Sequence, residues 1–249
     1  MSLDLSKVAA VILAAGKGTR LNCTDKPKVM LEIGGKPIVS YIVETLKQMG
    51  FEKEQICLVV GFEKEKIQEY FKDEVSCTVQ EQQLGTAHAA HVGIVSLPAG
   101  IEQVLVMGGD DCAFYKEETL LNFIEMHVQN ECVLSLLTAK VEDPNQLGRI
   151  VKTDKGLEII EKEYLTEEQK KINEISTGTF IFDRKWFEEI FPTMPKLRKL
   201  GEYGLPTALA IVREQNKKYQ IVHLQDQNEW HGINTLEELE LADKLKVNL

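Results

Sequence analysis

Long apolar runs are missing from this chain: no stretch of its 249 residues could span a membrane. Its first residues, Met1-Ser2-Leu3-Asp4, have neither the basic start nor the unbroken apolar stretch of a secretory signal. Cysteine is scarce and scattered. The five, Cys23, Cys57, Cys77, Cys112 and Cys132, are odd in number, and none belongs to a Cys-x-x-Cys pair. This pattern argues against zinc and points to a reducing, cytoplasmic setting. Cys57, Cys77 and Cys132 lie in strand-like runs and are expected in the core. Positive charge is the minority, 29 Lys and Arg against 39 Asp and Glu, a net charge of -10. That balance excludes general affinity for nucleic acid or anionic membranes, and suits a small anionic ligand held at one local basic site. Low-complexity stretches, internal repeats and a flexible linker are also lacking, so the expected organisation is one domain over 1–249.

What is present is an alternation. Strand-like runs at 8–13, 55–60, 76–80, 103–107 and 132–140 are separated by helical spacing at 38–49, 64–71, 86–96 and 117–130. The pattern predicts an α/β fold with a Rossmann-like, mainly parallel sheet flanked by helices. After Val141 the texture changes. Short strands are predicted at 148–153 and 157–161 around the turn Asp154-Lys155-Gly156, then a charged helical patch at 166–171. A strand at 178–182, helices at 186–191 and 205–214, a strand at 219–224 and a helix at 235–245 follow. The last helix, with Leu236, Leu239, Leu241 and Leu245, is expected to pack on the sheet.

The first strand runs into Leu13-Ala14-Ala15-Gly16-Lys17-Gly18-Thr19-Arg20, with Lys26-Pro27-Lys28 close behind. Small residues let backbone approach a ligand, and Gly16 and Gly18 permit conformations other residues resist. Loop N–H groups with Lys17, Arg20 and Lys28 make a polyphosphate site. It is not a Walker loop, because Thr19-Arg20 follows Gly18 where Lys-Ser/Thr is needed. Nor is it the dinucleotide fingerprint, because Leu21 stands where the third glycine belongs.

Other candidates fall at strand ends, where ligands bind in such sheets. Gln80 and Gln83 each offer an amide donor and acceptor, which can match O4 and N3–H of uracil. Thr86 is placed to cap the following helix, and His88 early in it is read as structural. Asp110 follows an apolar strand and two glycines beside the phosphate loop, a natural Mg²⁺ ligand. Asp111 either assists it or faces solvent. Glu161 ends an apolar strand. Asn234, taken alone, reads as a helix N-cap.

The chain resembles the sugar-1-phosphate nucleotidyltransferase family, and within it the uridyltransferase domain of bacterial N-acetylglucosamine-1-phosphate uridyltransferases. Besides the glycine loop, the shared stretches are Gln80 to Ala89, Gly109-Asp110, Gly148-Arg149-Ile150, Ile160-Glu161, Glu174 to Gly178, Gly201-Glu202-Tyr203 and Gly232-Ile233-Asn234. The resemblance implies a nucleotide-binding half, 1–140, and a β-rich sugar-binding half, 141–249. It implies that Leu13, Ala14, Ala15, Gly16, Lys17, Gly18, Thr19, Gln80, Gln83, Gly85 and Thr86 bind the nucleotide. Arg20 and Lys28 would be catalytic, Asp110 and Asn234 would hold Mg²⁺, and Gly148, Glu161, Ser176 and Thr177 would bind the sugar. Glu202 and Tyr203 are expected as structural support.

The implied reaction joins UTP and a sugar 1-phosphate, N-acetylglucosamine 1-phosphate or a related hexose or hexosamine phosphate, to give UDP-sugar and pyrophosphate. Transfer from another NTP to a different phosphorylated acceptor, and a non-catalytic sugar-nucleotide sensor, are the alternatives. Departures cluster near the sugar. Asp111-Cys112-Ala113 replaces the usual x-Pro-Leu after Gly-Asp, Gly108 stands for Tyr, Ser176 for Asn and Thr207 for Asp. No hexapeptide-repeat acetyltransferase segment is present in the sequence, so acetyl transfer is not expected.

Overall fold

The computed structural model of the protein describes residues 3–18, 21, 23, 25–144, 147–154, 156–197 and 201–248. The elements, in chain order, are β1 (Val8–Ala14), β2 (Glu32–Ile33), β3 (Lys36–Pro37), α1 (Ile38–Gln48), β4 (Ile56–Val60) and α2 (Lys64–Phe71). Next come β5 (Ser76–Val79), α3 (Thr86–Ser96), β6 (Gln103–Gly108), α4 (Glu117–Gln129) and β7 (Leu134–Lys140). The later part holds β8 (Arg149–Thr153), β9 (Gly156–Ile160), β10 (Glu174–Asp183), α5 (Arg184–Ile190), α6 (Thr207–Glu214), β11 (Tyr219–His223) and α7 (Leu236–Val247).

Nine strands form one sheet in the order β11-β7-β10-β6-β1-β4-β5, with β8 joined to β10 and β9 to β8. Neighbours β6, β1, β4 and β5 are parallel, β11 is parallel to β7, and β10 runs against both β6 and β7. The expected α/β class with a mainly parallel sheet is what is found. The continuous apolar run Val8–Ala14 is dictated by burial on both sides, because alternate side chains of a strand point to opposite faces. Val8, Ala10, Ile12 and Ala14 meet Ile42 and Leu46 of α1 and Phe123 of α4. Ala9 and Val11 belong to a second core on the other face, with Ala90 and Ile94 of α3, Phe187 of α5 and Leu209 of α6. Helix α3 lies so close that a Cβ on Gly93 would come within 2.4 Å of Val11 Cγ1.

This topology positions the site. The carboxyl ends of β1, β4 and β6 open on one edge of the sheet, and antiparallel β10 brings its amino-terminal half to that same edge. There β10 is irregular. Its register against β7 shifts between Ser176 and Phe180, and Gly178 takes φ +76. Such a bulge re-aims side chains where a strand borders a site. The strand therefore runs from Glu174, well before the predicted start at 178, because the shifted register carries pairing past the glycine.

Three other expectations are corrected. The charged patch 166–171 forms only a 3₁₀ turn at Gln169–Lys171, since it has no apolar stripe to bury. Cys77 is half-buried because β5 is the edge strand, whereas Cys57, Cys132 and Cys112 are buried. Helix α7 does not pack on the main sheet. Its Ala242, Leu239 and Leu245 join Leu21, Ile33, Ile38 and Phe114 in a small separate core, and Leu236 and Leu241 are exposed.

The buried ring of His127 ties α4 to the sheet through Ser135 Oγ (2.6 Å from Nδ1) and Gln103 Oε1 (2.9 Å from Nε2). Burial lowers its pKa from 6.5 to about 4. The unfolded chain thus takes up a proton here as pH falls below 6.5, and the folded chain does so only near 4. The stability is complete above that window and is lost on acidification through it, by on the order of 3 kcal/mol between pH 7 and pH 4.5. Urea titrations at both pH values are expected to show that loss in the wild type and a smaller one in His127→Gln. Equal losses would dissociate the acid sensitivity from His127.

Candidate functional site

The edge of the sheet encloses a cavity of about 560 Å³. Leu13, Ala15 and Gly16 of the glycine loop line it, as do Gln80, Gln83, Gly85 and Thr86. Gly148, Glu161 and Ser176 line it too, so the structure brings residues expected for nucleotide and for sugar into one space. Ala14 is buried in the sheet, and Lys17 borders an adjacent depression with Gln80 and Gln83. Thr19 and Arg20 lie outside the described residues.

The two loop glycines act differently. Gly18 has φ +64, and a Cβ there would sit 2.8 Å from Lys28 Cβ. Its conformation and the approach of Lys28 both require glycine. Gly16 has no positive φ, and a Cβ on it would meet nothing within 4 Å. What Gly16 keeps open is the cavity it lines, which corrects the expectation of special backbone angles at both positions.

Around Gln80 the polar groups are largely committed to one another. Its buried Nε2 donates to the Gly85 carbonyl (3.2 Å) and to His88 Nδ1 (2.9 Å). Accepting this bond requires a neutral His88 ring, and burial does lower the His88 pKa. Gln80 is thereby left with Oε1, an acceptor, for any ligand. This narrows the expected donor-and-acceptor role to accepting an N–H. Gln83 donates from Nε2 to the Ala15 carbonyl (2.7 Å), steadying the glycine loop. Thr86 is not a cap. It is the first helical residue of α3, and its Oγ1 accepts from the Leu205 N–H at 3.0 Å. The adjacent Ala87 N–H donates to the Tyr203 carbonyl (2.8 Å), and Tyr203 N–H to the Leu84 carbonyl (2.7 Å). The segment 203–205 thus closes the cavity against α3.

Lys28, Asp110 and Asn234 meet although distant in sequence. Lys28 Nζ donates to Asp110 Oδ2 and, at 3.0 Å, to Asn234 Oδ1. Gly109 positions Asp110 by donating its N–H to the Leu13 carbonyl (3.0 Å), pinning the end of β6 to that of β1. Asn234 is not the N-cap. Thr235 caps α7 in a reciprocal box with Glu238, which frees the Asn234 side chain to turn inward. Two hard oxygen donors therefore converge on one positive group, a donor set that fits Mg²⁺. Among the described residues no three His, Cys, Asp or Glu form a closed metal cage. Mg²⁺ does not need one, since substrate phosphates usually complete its shell.

At the other end, burial, and then Glu163, raise the Glu161 pKa. Thr177, expected among the sugar ligands, is turned away: its buried Oγ1 donates to the Leu137 carbonyl (2.8 Å) inside the sheet. Its carbonyl accepts from Trp230 Nε1 (3.2 Å), so it supports the cavity floor from behind. Burial, reinforced by Asp110, pushes the Asp111 pKa up. Asp111 is half-buried in the cavity wall with its Oδ1 buried, which overturns the view that it simply faces solvent.

Residues 9–244 match the family described as nucleotidyl transferase. The chain belongs to that family. It is 37% identical over 244 residues to the bifunctional protein GlmU of Symbiobacterium thermophilum, covering 96% of this chain and 51% of that protein. It is 32% identical over 243 residues to the bifunctional protein GlmU of Listeria monocytogenes, covering 97% and 52%. The chain thus spans about half the length of the curated relatives it matches. A crystal structure from Bacillus anthracis, described as "a Putative Glucose-1-Phosphate Thymidylyltransferase" in complex with a sucrose, superposes with a TM-score of 0.78 at 22% identity. It covers 97% of this chain and 96% of that one, and shows that the two share a fold.

In this member of the family the cavity is also lined by residues that no motif pointed to: Leu147, Ile159, Phe180, Leu205 and Pro206, with Glu202, expected only as support. Their signal in the sequence is ordinary apolar patterning, which does not separate a cavity wall from a core. Among the described residues, no helix is long and apolar enough to cross a membrane.

Gly85 tests the closure of the cavity. It has φ +106, and a Cβ would fall 2.5 Å from the Tyr203 carbonyl oxygen. Gly85→Ala is expected to cost on the order of 2 kcal/mol of stability. In calorimetric titrations it should also weaken nucleotide binding. Wild-type stability and affinity in this variant would show that the 203–205 segment is free to move away.

Proposed function

We propose that the chain catalyses nucleotidyl transfer from UTP to a sugar 1-phosphate, N-acetylglucosamine 1-phosphate or a related hexose or hexosamine phosphate, releasing pyrophosphate. The observation that carries the reading is the single cavity holding Gln80 and Thr86 together with Glu161 and Ser176, with Asp110 of the Lys28–Asp110–Asn234 cluster in its wall. Gln80 Oε1 accepts the N3–H of uracil. Thymine offers the same N–H, and the resemblance of fold to a described thymidylyltransferase makes dTTP the competing donor to test. Five free cysteines accord with a cytoplasmic setting.

The attacking group is a phosphate oxygen of the sugar phosphate, which displaces pyrophosphate in line at the α-phosphorus. It is already anionic near neutral pH, so no general base is required. Catalysis is then alignment and charge compensation. Lys28 leaves its two protein oxygens and spans the α-phosphate and the attacking phosphate, while Arg20 holds the departing pyrophosphate. Asp110 and Asn234, released by Lys28, would hold Mg²⁺, whose charge offsets repulsion between the two anionic substrates. Glu161 receives sugar hydroxyls, and Ser176 borders the same sugar.

Pyrophosphate release is measured with Mg²⁺ in a matrix of nucleoside triphosphates and sugar 1-phosphates. A signal with UTP and one sugar phosphate is expected. Silence throughout, with UTP binding intact, would favour a non-catalytic sensor. Lys28→Ala is expected to fold normally and lose on the order of a hundredfold in turnover, about 3 kcal/mol of transition-state stabilisation. Near-normal turnover in that variant would remove Lys28 from the phosphate-bridging role.

A further inference from the structure

Two glycines open the cavity wall onto a carboxylate that the reaction above does not use. A Cβ on Gly108 would lie 2.9 Å from Asp111 Oδ1 and 3.1 Å from Oδ2, and one on Gly178 would lie 3.7 Å from Oδ2. The Asp111 side chain therefore fills the space that a side chain at 108 would take. Gly108, Asp111 and Gly178 line the cavity beside Ser176, Gly148 and Glu161. Oδ1 is buried and has no hydrogen-bond partner among the described residues. The nearby cation does not serve it, because Lys28 Nζ donates to Asp110 and Asn234. A buried acceptor left unpaired is unfavourable unless a ligand completes it.

We propose that Asp111 determines acceptor specificity, accepting a hydrogen bond from a donor-bearing substituent of the sugar that enters beside Gly178. The acceptor class is then a hexose or hexosamine 1-phosphate with a free hydroxyl or amine at that ring position. This rests on the proposed sugar-phosphate reaction. Glu161 and Asp111 supply two carboxylates to one sugar, and Gly178, where a Cβ would meet nothing nearer than Asp111 Oδ2 at 3.7 Å, leaves room for the substituent. The contact is made to the sugar and not to the nucleotide, so it persists in the product.

The test is calorimetric binding of UDP-sugars and dTDP-sugars, with UDP and dTDP as controls, because none of these needs turnover. Asp111→Ala is expected to weaken a nucleotide-sugar by about tenfold, the scale of one buried hydrogen bond, and to leave the free diphosphate unchanged. At one ring position, a deoxy analogue should bind the wild type more weakly by a similar factor and show no further loss in Asp111→Ala. Asp111→Asn keeps the shape and one acceptor oxygen, and should fall between the two. Unchanged nucleotide-sugar affinity in both variants would overturn the role of Asp111 alone. An equal loss for the free diphosphates, or a shifted Mg²⁺ titration, would place Asp111 with the metal ligands and overturn it too. If the wild type binds no nucleotide-sugar more tightly than the diphosphate, both this proposal and the sugar-phosphate reading fall.

Discussion

One ammonium group gathers the site. Lys28 Nζ meets oxygens from residues 82 and 206 positions away, so the start, middle and end of the chain must converge on it. Several local peculiarities become intelligible as conditions for this meeting. Gly18 is bent into a left-handed conformation where any side chain would collide with Lys28. Gly109 binds the end of β6 to the end of β1, which carries Asp110 alongside. Thr235, and not Asn234, caps α7, so the asparagine amide is available. The side chains of Lys28 and Asp110 keep 13% and 30% of their surface, so their attraction is screened less than that of a surface pair.

The remainder of the fold supplies rigidity around that point. A strand that is apolar on both faces is stable only between two layers of helices, and β1 is held in this way. Antiparallel β10 then does what a further parallel strand would not: it brings its irregular amino-terminal half to the open edge of the sheet. The hydrogen bonds between 84–87 and 203–205, two of them backbone to backbone and one to the Thr86 hydroxyl, lock the later part of the chain onto α3. The cavity is thus walled by segments from both halves. The net charge of -10 makes the local placement of Lys28 more consequential, since an anionic ligand would have to find positive charge within an acidic molecule.

Much of this was legible without coordinates. Helices at 64–71 and 86–96 have the bounds their spacing indicates, because each has a clear apolar face or a glycine just before it. The glycine loop after β1, Gln80, Asp110, Glu161 and Ser176 all come to the site, for strand ends and loops of this composition have few other uses. Where pattern reading failed, short-range chemistry was outvoted by contacts far away in sequence. Thr86 and Asn234 both look like caps, yet each is spent on a partner more than 100 residues away. Thr177 alternates with Ser176 along β10, and only the bulge and the pairing with β7 decide which of them faces the cavity.

The sequence by itself determined the alternating α/β architecture, the glycine-rich loop after the first strand and the family, because these depend on residue type and local spacing. Tertiary structure decided that Gln80 has only its oxygen to offer a ligand, since both amide hydrogens are taken by Gly85 and His88. It also decided that Asp111 stands in the wall of the cavity, with one buried oxygen, Oδ1, that has no hydrogen-bond partner among the described residues. The physical reason is common to both. Hydrogen-bonding capacity is written into each side chain, but what remains of it for a ligand depends on which neighbours the fold brings within about 3 Å.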